Sequence, residues 1–471
     1  MDALELARWQ FGITTVYHFF FVPLTIGLSV LVAGMQTAWW RTSDERWLRL
    51  TRFFGKLFLI NFAMGIATGI VQEFQFGMNW SDYSRFVGDV FGAPLAIEGL
   101  LAFFLESTFL GLWIFGWDRL RPGLHLACIW IAALGTVFSA YFILAANSFM
   151  QNPVGFTLNG ERGRAELTDI GAVLTNKVLT VTFPHQIFGC FMVAGAFVAG
   201  VAVWQLVRHP HRDADAFRPA LRLGAVVLVV AGLGTMISGD FQGKVMTEVQ
   251  PMKMAAAEAL YEDAQPAPFS AFTIGTLDGS EPIFQLEVPR LLSFLAAGDF
   301  DSQVRGIDSL QAEYEQTYGP GDYRPNVPVT YWTFRLMITA GGVAMLIGAA
   351  LLWATRRGRT IRSGPRASRW WVRTAVVLPL LPLLANSFGW IFTEMGRQPW
   401  VVFGLLPTSA GVSPGTTVAE VGASLAAFTL LYGTLAVVEV RLLMTYVAKG
   451  LPDADPPELA DDPDAPLAFA Y

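Results

Sequence analysis

Long apolar runs constrain this chain more than any other feature. Nine of them are roughly 18 to 28 residues long, which is enough to cross a hydrocarbon layer about 30 Å thick at 1.5 Å per helical residue. The composition agrees, with 53% hydrophobic and 15% charged residues in 471, whereas soluble domains carry roughly 25% charged residues. The sequence therefore predicts an all-α, polytopic membrane helix bundle. The predicted spans cover residues 13–40, 53–76, 93–116, 125–150, 184–207, 219–242, 330–354, 371–393 and 416–446.

Basic residues are distributed unevenly among the connections between these spans. The odd-numbered connections carry clusters of arginine, and the even-numbered ones are poor in basic residues by comparison. Because Lys and Arg accumulate on the cytoplasmic side, this pattern predicts an outside N-terminus and a cytoplasmic C-terminus. The first span is expected to direct insertion itself, since no basic segment precedes a short apolar core. The formal charge of −6 gives no indication of nucleic-acid binding, and no nucleic-acid partner is expected.

Four regions follow from this topology. Residues 1–242 hold spans one to six, and residues 330–446 hold spans seven to nine. The segment 243–329 is long and acidic and is predicted to lie outside, where it can fold on the surface or order around a ligand. The tail 447–471, rich in Pro and Asp, is predicted to be cytoplasmic and disordered.

Ionisable residues inside the spans are the next clue, because each is costly at the bilayer centre unless it is paired or ligated. His18 lies in span one, Glu98 and Glu106 in span three, His185 at the start of span five and Glu394 at the end of span eight. The predicted topology puts four of these in the outer part of the membrane. Glu106 falls roughly 12 Å deeper than Glu98 at helical rise, near mid-membrane.

Two chemical interpretations compete for the histidines and methionine. A His and a Met on separate helices can ligate the two faces of one haem, which describes His185 together with Met337 of span seven. Alternatively, the histidine is bonded to a carbonyl group and the methionine fills a gap in the packing. Arg335, two residues before Met337, adds a cation that can neutralise a haem propionate.

Glu394 is open to two interpretations as well. Its carboxylate can be an axial ligand to iron, or it can form an ion pair with Arg397, three residues on. Spacing alone favours the ion pair. Cys128 and Cys190 are isolated within spans and no CxxCH motif is present, so any haem is expected to be bound noncovalently and no disulfide is indicated.

Four motifs together carry a specific resemblance. They are GWIFTEMGRQPW around Glu394, VYHFFFVPLTIG around His18, FPHQIFG around His185, and YWTFRLM, which ends at Met337. In this order they resemble the large haem-bearing subunit, subunit I, of cytochrome bd quinol oxidase. The resemblance covers essentially the whole chain, including the segment 243–329, which that family calls the Q loop. It implies about nine transmembrane helices and three haems gathered in the outer half of the membrane.

The resemblance implies a ligand set for these haems. His185 and Met337 match the two axial ligands of a low-spin haem b, with Arg335 as its near neighbour. His18 and Glu394 match the ligands of the two high-spin haems. The two pockets are interchanged in some family members, so the resemblance leaves open which haem each residue holds; of the two arrangements, we expect His18 to hold haem d and Glu394 to hold the high-spin haem b.

Further residues match positions of known importance in the family. Trp390 matches an aromatic residue placed for electron passage between haems, whereas physical reasoning alone explains it equally well as a tryptophan of the interfacial aromatic belt. Arg397 belongs to the same cofactor-contacting motif. Glu98 and Glu106 match two acids beside the high-spin pair. A carboxyl group in a dry pocket can carry a proton towards reduced oxygen, whereas the alternative role is a structural hydrogen bond.

The Q loop carries the predicted quinol site. Lys253 and Glu258 match residues implicated in quinol binding or oxidation, the alternative being a solvated surface pair, and they lie about 140° apart on an ideal helix. The loop lacks the long insertion of the enterobacterial type and so resembles the short Q-loop class. Lys56, Glu73 and Asn147 are weaker candidates for the proton path or the haem pocket.

The resemblance implies a terminal respiratory oxidase. Such an enzyme oxidises membrane quinol at the outer surface, reduces dioxygen to water and generates proton motive force without pumping. It implies a haem-free second subunit, and a small single-span subunit is a further possible partner. The expected location is the cytoplasmic membrane of a bacterium or archaeon.

Two other classes make different demands on the sequence. A membrane haem b protein that transfers electrons without reducing oxygen would need His185 and Met337, but not Glu394 together with Glu98 and Glu106. A secondary transporter would show internal repeats and helices broken by Gly or Pro at the midplane. The chain has no clear repeat, and the additional acidic residues favour the oxidase.

Overall fold

A computed structural model describes residues 2–359 and 365–452, with no side-chain detail at 358 and 365–368. Within this part of the chain, nine helical units are long and apolar enough to cross a membrane. The predicted helix bundle is therefore confirmed. The helices are α1 Ala3–His18, α2 Phe21–Thr42, α3 Glu45–Met78, α4 Ser81–Ile97, α5 Phe104–Phe115, α6 Pro122–Gln151, α7 Ile170–Leu174, α8 Lys177–Arg208, α9 Ala214–Val249, α10 Pro251–Glu258, α11 Leu291–Ala297, α12 Ile307–Tyr318, α13 Val327–Ala354, α14 Pro365–Met395 and α15 Val418–Lys449.

Short antiparallel hairpins complete the architecture outside the long helices. Each two-stranded sheet pairs strands that are neighbours in sequence. The strands are β1 Phe156–Asn159, β2 Arg164–Leu167, β3 Phe269–Gly275, β4 Pro282–Val288, β5 Trp400–Val402 and β6 Leu406–Pro407. The Q loop thus folds into helices α10 to α12 and the β3–β4 hairpin.

Several helices extend beyond the predicted spans. The first unit begins at Ala3 and is interrupted at Phe19 and Phe20, between α1 and α2, whereas the prediction began it at residue 13. Polar side chains stabilise this extension through tertiary hydrogen bonds, because Gln10 Nε2 donates to Ser424 Oγ at 2.8 Å and Gln75 Nε2 donates to Thr14 Oγ1 at 2.6 Å. Hydropathy alone does not predict these additional helical residues, because they are polar and their hydrogen-bonding groups are paired within the protein.

Two other boundaries move for the same reason. Helix α9 continues to Val249, seven residues into the segment predicted to begin at 243. Helix α15 continues to Lys449, and Leu451 beyond it is 4% exposed, so the first residues of the predicted tail are ordered against the bundle. The remainder of that tail, 453–471, lies outside the described residues.

Small residues set the closest helix contacts in the bundle. A Cβ on Gly195 of α8 would lie 2.8 Å from the carbonyl oxygen of Gly224 in α9, and a Cβ on Gly224 would lie 2.6 Å from the Ala199 nitrogen. Transmembrane helices approach closely where such residues meet, because lipid offers no hydrophobic drive for helix association. This contact positions α8, which carries His185, against α9.

Candidate functional site

His18 is the last residue of α1, where the first membrane unit is interrupted. Its Nδ1 lies 2.8 Å from Thr68 Oγ1, and the same hydroxyl lies 3.0 Å from the carbonyl oxygen of Met64. Because the threonine has one proton and the carbonyl can only accept, we infer that the hydroxyl accepts from Nδ1–H. This assignment leaves the Nε2 lone pair of His18 free to bind a metal.

The Nε2 lone pair of His185 is also free, but the Nδ1 of this histidine has different hydrogen-bond partners. Its Nδ1 lies 3.1 Å from the Thr235 carbonyl oxygen and 3.3 Å from Ser238 Oγ, and the Ser238 hydroxyl donates to the Gly234 carbonyl at 2.7 Å. The carbonyl group cannot donate, so Nδ1 carries the proton and Nε2 is again the free nitrogen.

Glycines lie beside both imidazoles and beside the methionine. A Cβ added at Gly69 would approach His18 Cε1 to 3.2 Å, and one at Gly239 would approach His185 Cε1 to 3.2 Å. At Gly389, a Cβ would lie 2.8 Å from Met337 Sδ. Glycine allows the neighbouring backbone to approach each of these side chains closely.

Glu394, next to the C-terminal residue of α14, is held by two residues. Asn147 Nδ2 donates to Glu394 Oε1 at 3.0 Å, and Arg397 Nη2 donates to Glu394 Oε2. The ion pair predicted from spacing is therefore present. An ionised carboxylate accepts at about four lone-pair positions, so these two bonds leave capacity for a metal, and the Glu394 side chain is 21% exposed whereas Arg397 is 3% exposed.

Trp390 links this segment to the first histidine. Its ring stacks on Phe19 with centroids 5.3 Å apart and an interplanar angle of 23°. Phe19 directly follows His18, and Trp390 directly follows Gly389, which contacts Met337. One aromatic contact thus connects the surroundings of two predicted ligands, His18 and Met337.

Arg335 makes a buried ion pair. Its Nη2 lies 2.6 Å from Glu258 Oε2, and its Nε and Nη2 donate to the Ser270 carbonyl oxygen at 2.9 and 2.6 Å. Burial raises the pKa of Glu258 to about 7, although the Arg335 charge acts in the opposite direction. The Nη1 of Arg335 is buried without a hydrogen-bond partner, which leaves one donor for the predicted propionate.

Lys253 is the second buried ionisable group of α10. Its Nζ donates to Gln151 Oε1 at 2.6 Å, and a Cβ on Gly396 would lie 2.6 Å from Lys253 Cγ. The pKa of Lys253 is lowered to about 7, chiefly by burial; the nearby Arg397 charge also lowers it, and Glu394 acts in the opposite direction. Lys253 is 5% and Glu258 3% exposed, so the alternative of a solvated surface pair is wrong.

The two acids of span three contact one helix. A π-helical segment, Glu98–Phe103, separates α4 from α5, and such segments change the register of the residues beyond them. Ser139 Oγ donates to Glu98 Oε1 at 2.7 Å, and Glu106 packs against Gly135, whose added Cβ would lie 2.9 Å from Glu106 Cβ. Gly135 and Ser139 are four residues apart on α6, so both acids adjoin one face of that helix.

The weaker candidates lie in different places. Lys56 Nζ lies 4.1 Å from the centroid of the Tyr446 ring. Glu73 is exposed on α3 beside Phe74. Asn147, in contrast, directly contacts the predicted iron ligand Glu394.

Sequence reasoning missed two residues that hold the site together. Gln151 bonds Lys253, and Thr68 orients His18. The signal for Gln151 was present, because Asn147 and Gln151 are polar residues four apart at the end of an apolar run, and such residues share a helix face. No pattern indicated Thr68, since its partner is 50 residues away.

The predicted ligands do not converge on one ion. Among the described residues, no group of three or more His, Cys, Asp or Glu side chains could hold a metal. Haem iron takes only one or two ligands from the protein, so separate ligands with a free nitrogen, sulfur or carboxylate oxygen are compatible with haem. The buried, unbonded Nη1 atoms of Arg335 and Arg397 are suited to propionate carboxylates.

Comparisons with known proteins agree over the whole length of the chain. The family model described as cytochrome bd terminal oxidase subunit I matches residues 6–451. The chain belongs to this family. It is 49% identical to the cytochrome bd ubiquinol oxidase subunit 1 of Bacillus subtilis (strain 168), over 96% of this chain and 94% of that protein.

Two further comparisons extend the likeness. The chain is 36% identical to the cytochrome bd-II ubiquinol oxidase subunit 1 of Escherichia coli (strain K12), over 95% of this chain and 97% of that protein. It superposes on the bd oxidase of Geobacillus thermodenitrificans with a TM-score of 0.84 and 29% identity, covering 95% of this chain and 99% of that one. Membership in the bd family implies haem cofactors, a quinol substrate and a partner subunit.

Proposed function

We propose that this chain is the haem-bearing subunit of a membrane quinol oxidase that reduces dioxygen to water. The observation that carries the proposal is the placement of α10. This helix puts two buried ionisable groups, Lys253 and Glu258, against the segments that bear Glu394 and Met337. An amine and a carboxyl group are each costly to bury in a dry environment. Their burial on α10 is therefore not explained by a helix that only covers the bundle.

We propose the following ligand roles. His185 and Met337 would hold the low-spin haem b, Glu394 the high-spin haem b, and His18 haem d. When bound, the haems supply one-electron carriage and the iron at which dioxygen is reduced. Trp390, stacked on Phe19, would provide an aromatic contact between the surroundings of these ligands.

Glu258 and Lys253 would act as proton acceptors for quinol. Each loses its proton near neutral pH, because burial moves both pKa values to about 7. A base with a pKa near the working pH is efficient in proton transfer. Quinol oxidation releases two electrons and two protons, and these groups would receive the protons near the outer surface.

Glu98 and Glu106 would supply protons for water formation. Their common contact with α6 supports a single route, and Glu106 is buried, with 7% exposure. If those protons are drawn from the cytoplasm, turnover separates charge without a pump. Arginine-rich cytoplasmic connections support this orientation.

The assembly follows from the family. A haem-free second subunit and a small single-span subunit would complete the complex in a bacterial cytoplasmic membrane. The alternative, a haem b electron-transfer protein without oxygen chemistry, gains nothing from the comparisons.

Quinol-driven oxygen uptake by the purified complex tests the proposal. Two quinols supply the four electrons that one dioxygen needs, so uptake in that ratio, with no hydrogen peroxide accumulating, is the expected result. Haem that quinol reduces without oxygen uptake would favour the electron-transfer alternative. In sealed vesicles, a charge-to-electron ratio near zero would contradict the proton route.

A further inference from the structure

The β3–β4 hairpin of the Q loop has one entirely apolar face. In an antiparallel pair, residues that lie opposite each other point to the same side of the sheet. A bulge at Ala271 keeps this alternation in step, since Ser270 pairs with Glu287 and Phe272 pairs with Leu286. The apolar face is formed by three cross-strand pairs: Phe269 with Val288, Phe272 with Leu286, and Ile274 with Phe284.

The opposite face is polar, and its side chains Ser270, Thr273 and Gln285 pack on the protein, whereas Glu287 is exposed. Ser270 and Thr273 are buried there, with their hydroxyl oxygens 2.6 Å apart and Ser270 Oγ 2.9 Å from the Tyr331 hydroxyl. Gln285 Nε2 donates to the Ala259 carbonyl at 3.4 Å. The hairpin therefore has its polar side inside and its apolar side outside, the reverse of a hairpin on a water-soluble domain.

Exposure of the apolar face is extensive. Among its side chains, five are exposed: Phe272 by 40%, Ile274 by 46%, Phe284 by 54%, Leu286 by 57% and Val288 by 43%. Each Å² of apolar surface left in water forgoes about 25 cal/mol. A contiguous apolar patch of this kind marks a contact with another apolar phase.

The hairpin runs along a membrane-spanning helix. Its turn rests on the first residues of α13, because a Cβ on Gly279 would lie 2.7 Å from Pro328 Cδ, and its base lies at Arg335, which donates to the Ser270 carbonyl. Seven residues separate Pro328 from Arg335, which is about 10 Å at helical rise. The base of the hairpin is thus alongside the interior of a span, and the turn is at the end of that span.

The apolar face continues onto the exposed surface of α13. Phe272 contacts Trp332 edge to face, with ring centroids 5.4 Å apart. Trp332 is 37% exposed, and Leu336, four residues further on the same side of the helix, is 40% exposed. Tryptophan is enriched at membrane interfaces, so the face of α13 next to the hairpin has the composition of a surface in contact with lipid.

We propose that the apolar face of the β3–β4 hairpin is immersed in the outer leaflet of the bilayer. Its occupant is phospholipid, with acyl chains against Phe272 and Leu286 and the headgroup region near the turn. Beyond its base, where Phe269 packs on the Arg335 guanidinium with the ring centroid 4.5 Å from Arg335 Cζ, the hairpin then separates lipid on one side from the Glu258/Arg335 pair on the other. On the proposed function, a quinol with a long isoprenoid tail reaches that pair from the bilayer at the edge of the hairpin.

Depth-dependent quenching of a fluorescent label tests the immersion. The native cysteines Cys128 and Cys190 are 6% and 0% exposed, so a maleimide dye on Leu286→Cys or Leu277→Cys can be specific. Leu277 is 100% exposed at the turn, and Gln316→Cys on the polar helix α12 is the matched control. The holo-complex is reconstituted in vesicles that contain lipid spin-labelled either on the acyl chain or on the headgroup.

A gradient along the hairpin is expected. Acyl-chain spin labels should quench the dye at 286 more than at 277, aqueous iodide should show the opposite order, and the dye at 316 should respond to iodide alone. Iodide quenching of the dye at 286 would overturn the proposal in favour of a water-exposed loop. Protection of that dye from both quenchers would overturn it in favour of a covering protein subunit.

A kinetic test addresses the quinol route. The double variant Phe284→Ser with Leu286→Ser should raise the KM for long-tailed quinol several-fold, with little change in kcat or in the KM for a tailless quinol. Phe300→Ser, an exposed aromatic outside the hairpin, is the control. Equal effects on both quinols would contradict the route. Oxygen uptake by the dye-labelled cysteine variants distinguishes failure of this inference from failure of the proposed function. An active oxidase with a water-exposed hairpin refutes only this inference.

Discussion

The Glu258/Arg335 and Glu394/Arg397 pairs are chemically alike, but the fold uses them differently. In each, a carboxylate meets a guanidinium whose Nη1 is buried without a partner. The side chain of Glu258 is 2% exposed, whereas that of Glu394 is 21% exposed. The carboxylate of the Glu258/Arg335 pair is buried, so this pair is called sealed. The carboxylate of the Glu394/Arg397 pair is partly accessible, so a metal can bind it, and this pair is called open. Burial of the acid, more than the presence of the arginine, distinguishes the proposed proton-accepting role of Glu258 from the proposed ligand role of Glu394.

The largest effect is expected for Glu394→Ala. This change removes the proposed ligand and leaves Arg397 with no carboxylate, so the high-spin haem b and haem d bands should be depleted and oxygen uptake should fall by more than about 100-fold. The reduced-minus-oxidised absorption spectrum, with and without carbon monoxide, measures this. The low-spin haem b band should survive in the same sample. An unchanged spectrum would mean that Glu394 forms only the ion pair with Arg397 and is not an iron ligand.

Breaking the sealed pair should affect stability next. Arg335→Leu leaves the Glu258 carboxyl group buried without its partner, which typically costs about 3–5 kcal/mol. The double variant Arg335→Leu with Glu258→Leu should recover much of that loss, because it leaves no unpaired buried charge. Thermal unfolding of the purified complex, followed by tryptophan fluorescence, gives the comparison. A double variant as unstable as Arg335→Leu would contradict a sealed pair.

Asn147→Leu should have an intermediate effect on the open pair. It removes the 3.0 Å hydrogen bond to Glu394 Oε1 and keeps the ion pair, and loss of such a supporting bond typically costs about 10- to 100-fold in metal affinity or activity. Haem content per protein and the high-spin absorption bands are the readouts. Asn147→Asp is the matched variant, since it keeps the shape but places a second acid beside Glu394. Full haem retention in Asn147→Leu would remove Asn147 from the site.

The smallest expected effect is on the pH dependence of quinol oxidation. As pH rises through about 7, Glu258 gains its charge and Lys253 loses its own, so both become proton acceptors. The kcat/KM for quinol should therefore increase with pH and level off above about 7. In Glu258→Gln the remaining dependence should belong to Lys253, whose neighbours are Arg397 and Glu394. A profile identical to that of the parent protein would exclude Glu258 as an acceptor.

Sequence reasoning found one pair and missed the other. The spacing of Glu394 and Arg397 predicts their ion pair, because residues three apart are neighbours on a helical turn, and the pair forms although Arg397 lies two residues beyond the end of α14. Glu258 and Arg335 are 77 residues apart, and the sequence placed Arg335 with a haem propionate instead. A contact between α10 and α13 depends on how the Q loop folds back, which no local pattern encodes.

The sequence likewise predicted the helices but missed where some of them end, because those ends depend on distant partners. The apolar runs predicted nine spans, but the polar extensions of α1 and α9 lie outside any hydropathy signal. Gln10 and Gln75 stabilise such extensions through partners 414 and 61 residues away. The interruption after His18 positions that residue at a helix end, and the composition did not predict this interruption either.

By itself, the sequence determined the membrane bundle, its nine spans and the family motifs around His18, His185, Met337 and Glu394. These follow from local quantities: the length of an apolar run, the cost of an ionisable group in lipid, and the spacing of residues on one helix. Only the tertiary structure decided which nitrogen of each histidine is free, which acids are sealed and which side of the Q-loop hairpin faces out. Those outcomes depend on partners far away in the chain, since a hydrogen bond or a buried surface exists only after distant segments have packed together.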